Sequence, residues 1–241
     1  MKVWSISRAV GLFTGDSRAL LIIISGAMLL AGWVWLQQNP QHNPLEPLDL
    51  NDPPGWATAG KLSDLSGNRA LCRQVLTRSE VPFTALPGVG DGPCGLPDRT
   101  QINNPVIVPG NAIATCPINA GLALWINHGV QQAAEKHLDT KVTRILHLGT
   151  VNCRRVNSRQ NAPWSEHATA NAIDISGFVL ENGEYVSVLQ HWGEGKKGDF
   201  LEAVRDSACQ SFRTVLSPEY NAQHADHFHL DQGTRWARVC R

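Results

Sequence analysis

The 241-residue sequence predicts an α+β domain with a mainly antiparallel sheet and flanking helices, preceded by one transmembrane helix. Three observations favour this fold class. An uncharged apolar run lies near the N-terminus at residues 19–36. Beyond it, helical and alternating apolar patterns follow one another without regular βαβ alternation. All six cysteines also lie beyond the run, so we expect an exported, disulfide-bonded domain.

The apolar run at residues 19–36 has the length of a membrane-spanning helix, because about 20 such residues cross a bilayer. Basic residues precede the run and none follows until Lys61, so residues 1–18 are expected in the cytoplasm. The alternative is a cleaved signal peptide. The run exceeds the usual apolar core of about 7–15 residues, and no clean Ala-x-Ala site follows it. We therefore expect an uncleaved single-pass anchor.

Residues 37–58 contain five prolines and few apolar residues. Proline fixes φ and lacks a backbone donor, so this segment is predicted to be an extended linker between membrane and domain. The alternative is a buried irregular arm at residues 45–50. The folded domain is expected to cover residues 59–241, which is long enough to bury a core.

Hydrophobic periodicity predicts the elements of the domain in chain order. Apolar residues at helical spacing predict helices at residues 65–78, 119–138 and 199–216, with Asn119 and Asp199 as caps. The Gly- and Pro-rich stretch at residues 81–98 is expected to be loop or short strands. Apolar and alternating segments predict strands at residues 105–108, 141–148, 172–178, 185–189 and 227–230, the last of which closes the sheet.

The cysteines and the overall charge restrict the class of protein further. An even number of cysteines and the absence of a Cys-x-x-Cys pair favour three disulfides over zinc–thiolate ligation. Six cysteines allow about 15 pairings, and the sequence does not choose between them. The formal net charge is +0, which argues against nucleic acid or a strongly acidic partner.

Four residues have the spacing of a hydrolytic zinc site: His167, Asp174, His227 and His229. Catalytic zinc sites commonly use three nitrogen or oxygen ligands from the protein and leave one position open. Residues two apart on a strand project to the same side, so Phe228 would face away from both histidines of His-x-His. The alternatives are a solvated histidine-rich loop and an ordinary His–Asp hydrogen bond. The two halves together favour the metal site.

These motifs resemble a known family. The pattern Ser165-x-His167-x-x-Ala170-x-Ala172-x-Asp174, followed by Asp226-His227-Phe228-His229, resembles the zinc signature of D-Ala-D-Ala metallopeptidases, which share a fold with lysostaphin-type enzymes and the hedgehog signalling domain. The exported region is similar to bacterial extensin-like C-terminal domain proteins. That similarity also extends to the contexts of Cys94-Gly95, Thr115-Cys116-Pro117, Cys153-Arg154, the segment 216–221 and Val239-Cys240-Arg241.

The resemblance implies a zinc ion bound by His167, Asp174 and His229. In the D-Ala-D-Ala type an acidic residue three positions before the last ligand is the general base, and Asp226 occupies that position. In other members the first histidine of His-x-His has a catalytic role, which makes His227 the second candidate. We place Asp226 ahead of His227, although an offset of three would turn Asp226 away from the metal if it belongs to the strand.

The resemblance also implies an arginine that polarises the substrate carbonyl. Arg154 fits best and Arg155 is the second choice, while the alternative is a surface cation. One departure from the family pattern is Ala170, which stands where the usual signature has glycine.

The expected activity is zinc-assisted hydrolysis of amide bonds in D-amino-acid-containing peptides of peptidoglycan. The expected location is the bacterial inner membrane, with the N-terminus in the cytoplasm and the C-terminal domain in the periplasm facing the wall. One alternative is a non-catalytic, zinc-containing module that binds or scaffolds the cell wall. Another is a disulfide-rich adaptor without metal. The sequence does not identify a protein partner.

Overall fold

The computed structural model describes residues 7–110, 112–234 and 237–241, with side chains from residue 17 onward. Helix α1, Ser7–Gln38, contains a stretch at Ser17–Gln38 that is long and apolar enough to cross a membrane, and none of it is buried inside the protein. By length and composition this helix fits either a membrane span or a signal sequence.

The segment between α1 and the domain packs against the domain. The chain forms a short turn at Pro40–His42, and the side chains of Leu48 and Leu50 then enter the hydrophobic core with exposed fractions of 7% and 0%. The backbone nitrogen of Leu50 also donates a hydrogen bond of 2.8 Å to the hydroxyl of Ser79. This packing corresponds to the buried arm and not to an extended linker at these positions. We call residues 39–58 the arm.

Shortening Leu50 to alanine is expected to destabilise the domain by about 2–5 kcal/mol, because the side chain is fully buried and its removal leaves a cavity. The free energy of unfolding can be measured by chemical denaturation of the full chain in mild detergent. Leu45→Ala is the matched control, since Leu45 lies in the same arm and is 80% exposed. Equal effects of the two substitutions would contradict the packing of the arm.

Within the described part of the domain there are six further helices. They are α2 Thr58–Asp64, α3 Arg69–Arg78, α4 Cys116–Trp125, α5 Gln131–Leu138, α6 Val188–His191 and α7 Gly195–Ser211. A π-helical turn at Ile126–Val130 joins α4 to α5, so the two run on as one rod.

The helix predicted at residues 65–78 begins later than expected, at Arg69. Gly67 has a φ of 81°, which interrupts any helix at that point. The side chain of Asn68 then accepts a hydrogen bond of 3.1 Å from the backbone nitrogen of Leu71 and caps α3.

The helix predicted at residues 119–138 begins earlier than expected, at Cys116, and the prediction of Asn119 as its cap was wrong. Asn119 is fully buried and its side-chain amide donates 2.7 Å to the backbone oxygen of Thr100. A residue distant in sequence provides an acceptor for a free backbone N–H of the first turn. A carboxylate oxygen of Asp98 accepts a 2.7 Å hydrogen bond from the backbone nitrogen of Cys116.

The helix predicted at residues 199–216 is shifted toward the N-terminus. It begins at Gly195, so Asp199 lies inside it and is not its cap, and it ends at Ser211. Phe212 has extended backbone angles, and the chain continues into a strand. The apolar residues after Ser211 reach the core from a strand, and their spacing alone does not distinguish this from another helical turn.

Ten strands form two sheets among the residues that the structure describes. The small sheet has the order β1-β2-β4, and the large one has the order β10-β8-β9-β6-β5-β3 with β7 also paired to β6. The strands are β1 Phe83–Leu86, β2 Arg99–Ile102, β3 Ile107–Val108, β4 Ile113–Ala114, β5 Val142–Gly149, β6 Ala172–Leu180, β7 Tyr185–Ser187, β8 Thr214–Leu216, β9 Phe228–Asp231 and β10 Val239–Cys240.

The predicted fold class of α+β is confirmed, with an antiparallel small sheet and a mixed large sheet. Pairings within the large sheet are antiparallel except β3 with β5 and β8 with β10. The strands predicted at residues 141–148 and 172–178 are present as β5 and β6. The strand predicted at residues 227–230 starts one residue later, and it lies inside the sheet between β8 and β6 instead of closing it.

An aromatic cluster between helices and sheet forms the centre of the core. Trp125 of α4 makes edge contacts with Phe178 of β6 and Phe212, each at a centroid distance of 6.2 Å. Its indole nitrogen donates to the backbone oxygen of Val204 in α7 at 3.0 Å. The helices therefore cover one face of the large sheet, and the residues that alternate with the core residues point to the other face.

Three disulfides are present, as the even cysteine count predicted, and the described residues include no free cysteine. They link α3 to α4, the turn before β2 to the segment after β5, and α7 to β10. The pairs are Cys72–Cys116, Cys94–Cys153 and Cys209–Cys240. The second bridge fixes the chain immediately before Arg154.

Candidate metal centre

Strands β6 and β9 bring Asp174 and His229 together. The two residues lie directly opposite each other in the antiparallel register, so their side chains share one face of the sheet. Their neighbours Ile173, Ile175 and Phe228 alternate to the other face and are fully buried in the core. The pattern that makes β6 and β9 half apolar therefore also aligns one carboxylate with one imidazole.

His167 reaches the same point from a short helical turn, Glu166–Thr169, just before β6. The hydroxyl of Ser165 accepts a hydrogen bond from the backbone nitrogen of His167 at 3.3 Å and caps the turn. Ala170 ends the turn with a φ of 57°, in the left-handed region that favours glycine. Alanine in place of the glycine of the usual signature therefore adopts an unfavourable backbone conformation here. His167 nevertheless reaches the site.

The three side chains form a tight triangle. The Nε2 atom of His167 lies 3.1 Å from Oδ1 of Asp174 and 3.1 Å from Nδ1 of His229. The third side, from Nδ1 of His229 to Oδ1 of Asp174, is 3.0 Å. His167 and His229 have exposed fractions of only 3% and 9%. The trio of His167, Asp174 and His229, which the sequence predicted as metal ligands, is thus brought together; it is called the trio below.

Hydrogen bonds behind the trio set the tautomer of each imidazole. Nδ1 of His167 donates to the backbone oxygen of Thr150 at 3.2 Å, because a carbonyl oxygen can only accept. Nε2 of His229 donates in the same way to the buried carboxylate of Asp231 at 3.0 Å. In the neutral rings the other nitrogens carry lone pairs, and both point at Oδ1 of Asp174. Three acceptors at such distances require a cation between them.

In the metal-free protein a proton on His229 supplies this positive charge. Burial lowers the pKa of His229, but its hydrogen bonds to Asp174 and Asp231 raise it by more, to about 9. Burial raises the pKa of Asp174, and its hydrogen bonds from His167 and His229 outweigh this and bring it well below its usual range. The site therefore holds a positive charge beside a carboxylate even without metal.

The trio could equally hold a metal ion. Its nitrogen and oxygen atoms form a group that meets the spacing of metal ligands. Zinc–ligand bonds of about 2.0–2.2 Å in tetrahedral geometry place ligand atoms about 3.3–3.6 Å apart, close to the sides of this triangle. Two neutral imidazoles and one carboxylate also suit the ligand preferences of zinc. The donors, their spacing and their fixed tautomers all fit.

The metal-free protein is expected to lose stability as the pH rises above about 6.5, the ordinary pKa of histidine. A pKa raised by folding contributes stability that is complete below the unfolded value and is lost as the pH rises through the folded value, about 9 for His229. Denaturation midpoints of the chelator-treated chain between pH 6 and 10 would measure the loss. His229→Gln should flatten the profile across this range, and an unchanged slope in that variant would contradict the assignment.

Asp231 supports His229 from behind, and Asp231→Asn is expected to weaken metal binding about 10–100-fold. The substitution removes the charge that orients Nε2–H of His229 and keeps the shape of the side chain. Competition with a chromogenic chelator measures the affinity. Asp206→Asn is the control, since that carboxylate is exposed and pairs with Arg205 on α7. Equal affinity of the two variants would exclude a role for Asp231.

His227 borders the trio, and Asp226 stands behind it. Nε2 of His227 is 3.7 Å from Oδ1 of Asp174. Nδ1 of the same ring is 2.7 Å from Oδ1 of Asp226, whose side chain is 56% exposed. Both predicted candidates are therefore at the site, with the imidazole lying between the carboxylate of Asp226 and the trio.

Arg154 lines a cavity of ≈ 100 Å³ beside the trio, together with His229, His224 and Tyr220. Arg155 is engaged elsewhere. Its guanidinium donates to the backbone oxygen of Ala162 and lies 4.5 Å from the ring centre of Trp164. Of the two arginines, Arg154 is the one that borders the cavity.

Two site residues were not predicted. The ring of His224 lies 5.2 Å from that of His227 and 5.9 Å from that of His229, and burial followed by these neighbours lowers its pKa to about 4. It is therefore a neutral group in the cavity wall at pH 7. Asp231 is the other. Its place two residues after His229 on one strand face was a detectable pattern, whereas His224 arrives by a turn at Ala222–His224 that no periodicity predicts.

Most of the chain matches one known protein family. Residues 70–241 match the family described as extensin-like protein C-terminus. Comparison with curated proteins found no match, and comparison with solved structures found none either. The relation to D-Ala-D-Ala metallopeptidases is not supported by any match and stays a prediction. All six cysteines and the trio lie within the matched range. The chain therefore belongs to the extensin-like protein C-terminus family.

Proposed function

We propose that the chain is a membrane-anchored, zinc-dependent peptidase that hydrolyses amide bonds of D-amino-acid-containing peptides in peptidoglycan. The observation that carries the proposal is the arrangement of the trio. Two imidazole lone pairs and one carboxylate oxygen converge within 3.0–3.1 Å, and each imidazole is held in the metal-binding tautomer by a buried acceptor.

The substrate class is supported by the motifs. The order of His167, Asp174, Asp226, His227 and His229 resembles that of D-Ala-D-Ala metallopeptidases. The anchor supports the same substrate, because a domain exported on a single helix of Ser17–Gln38 would face the wall of a bacterium from the inner membrane. Three disulfides suit an oxidising periplasm.

When bound, zinc supplies Lewis-acid activation of water and of the scissile carbonyl. His167, Asp174 and His229 would hold it. The contacts favour His227 over Asp226 as the general base, because Nε2 of His227 faces the trio and Asp226 bonds to the opposite ring nitrogen.

In this scheme Asp226 keeps the proton of His227 on Nδ1 and leaves Nε2 able to accept. His227 then takes a proton from the attacking water and donates it to the leaving amine. Arg154 in the cavity wall stabilises negative charge that develops on the carbonyl oxygen. Neutral His224 contributes a polar wall without adding a second cation beside the trio.

The test is a hydrolysis assay on the full chain in mild detergent, loaded with zinc and supplied with peptidoglycan fragments. The panel contains stem peptides that end in D-Ala-D-Ala and cross-linked dimers, and mass spectrometry identifies new amine and carboxylate ends. The chelator-treated chain is the first control, and a zinc-restored sample is the second.

Cleavage of one bond type that is lost with chelator and regained with zinc is the expected result. Zinc binding without cleavage of any fragment would favour the alternative of a non-catalytic wall-binding module. Cleavage that survives complete removal of metal would overturn the zinc mechanism.

A further inference from the structure

Three aromatic rings join the end of α1 to the arm. Trp35, in the last turn of α1, stacks on His42 at 5.1 Å and on Trp56 at 5.4 Å between ring centres. His42 and Trp56 are 4.7 Å apart. One ring comes from the apolar helix and two from opposite ends of the arm. We call these three residues the aromatic clamp.

Polar contacts fix the same junction. Nδ1 of His42 accepts a hydrogen bond of 3.1 Å from the backbone nitrogen of Trp56. The ammonium of Lys61 in α2 donates 2.8 Å to the backbone oxygen of Pro40. A Cβ atom added to Gly55 would lie 2.5 Å from the backbone oxygen of Gln41, so the two ends of the arm are in direct backbone contact. With Leu50 in the core, the arm links α1 to the domain by a folded connection.

The outer surface of this junction is apolar and exposed. Trp56 is 73% exposed and Leu45 is 80% exposed, although both belong to a segment that is otherwise packed. Trp33 and Trp35 in the final turns of α1 are 55% and 41% exposed. Exposed tryptophans next to the end of a membrane-spanning helix are typical of the lipid headgroup region, where an amphipathic ring is favoured.

We propose that Trp56 and Leu45 lie in the headgroup region of the bilayer that α1 crosses, so that the aromatic clamp holds the domain against the membrane surface. The occupant of this surface is lipid, because Trp56 continues the surface of α1 through direct ring contact with Trp35, and Leu45 follows three residues after His42 of the aromatic clamp. The inference rests on the proposed anchor and goes beyond the proposed activity. It implies that the site works at a fixed short height above the membrane and has no long reach into the wall.

The test uses the full chain reconstituted in phosphatidylethanolamine–phosphatidylglycerol nanodiscs. A photo-reactive benzoylphenylalanine replaces Trp56, Leu45 or, as the matched control, Leu189. Leu189 is 62% exposed and lies on α6, whose neighbours are β6, β7 and α7. After irradiation, mass spectrometry counts lipid adducts at each position. Intact mass of every sample reports whether α1 is still attached.

We expect at least about fivefold more lipid adduct at positions 56 and 45 than at position 189. Equal labelling at the three positions, or adducts to a second protein chain in place of lipid at position 56, would overturn the proposal. Loss of α1 from the purified chain would refute the anchor, on which the proposal rests, and would show in the mass alone. Zinc-dependent hydrolysis is measured separately, so its absence leaves the lipid contact standing.

Discussion

Replacing both His167 and His229 by alanine will remove the metal ion from the chain, whereas the parent protein will carry about one ion per chain. The two imidazoles supply two of the three converging donors, so the double variant keeps only the carboxylate of Asp174. We expect the affinity for zinc to fall by at least about a thousandfold. Elemental analysis after equilibration with zinc measures the content, and competition with a chelator measures the affinity.

The control for this loss is His137→Ala, which removes an imidazole from the last turn of α5, outside the trio. It should keep the full metal content. Circular dichroism and a melting curve show whether the double variant is folded; since its histidines are paired with Asp174 and Asp231, some loss of stability is expected. The predicted metal site would be contradicted by a parent chain without zinc after supplementation, or by a double variant that retains zinc.

The trio was predictable because it depends on two local rules. Alternation on a strand places His229 opposite the core residues Phe228 and Leu230, and the buried partners of Asp174 fix its face in the same way. Burial of both apolar sides places Asp174 and His229 on the same face of the sheet, whereas the register that sets them directly opposite each other is a property of the folded sheet. The interval between His167 and Asp174 leaves room for one helical turn before β6.

The parts that were missed depend on contacts distant in sequence. Asp98 satisfies the start of α4 from 18 residues away in the chain, so the local pattern favoured Asn119 as the cap. The arm was predicted as a linker because its prolines suit an extended chain, yet the core offers Leu50 a buried position. The pairing of the cysteines follows from the same tertiary arrangement. The core position of Leu50 and the wall of the cavity both depend on contacts with distant parts of the chain, so the local pattern does not predict them.

Motif position and structural contacts favour different residues as the general base. Motif position alone placed Asp226 first. In the structure Asp226 precedes β9 and its exposed carboxylate bonds to Nδ1 of His227, while Nε2 of that ring borders the trio. Asp226 contacts the trio only through the ring of His227. Substitutions of the two residues should therefore reduce kcat by unequal factors.

His227→Ala should lower kcat by about 10²–10⁴-fold on the cleaved peptide, because the step that moves a proton from water to the leaving amine loses its carrier. The metal content should stay at the parental level, since His227 is not part of the trio. Steady-state kinetics measured beside elemental analysis of the same preparations will separate the chemical step from metal binding.

Asp226→Asn is the matched variant, and it should cost about tenfold in kcat, because its carboxylate orients the ring without touching a reacting atom. If Asp226 were itself the base, its substitution would cost as much as that of His227, and His227→Ala would cost little. The ratio of the two losses therefore decides between a carboxylate and an imidazole as the group that accepts the proton.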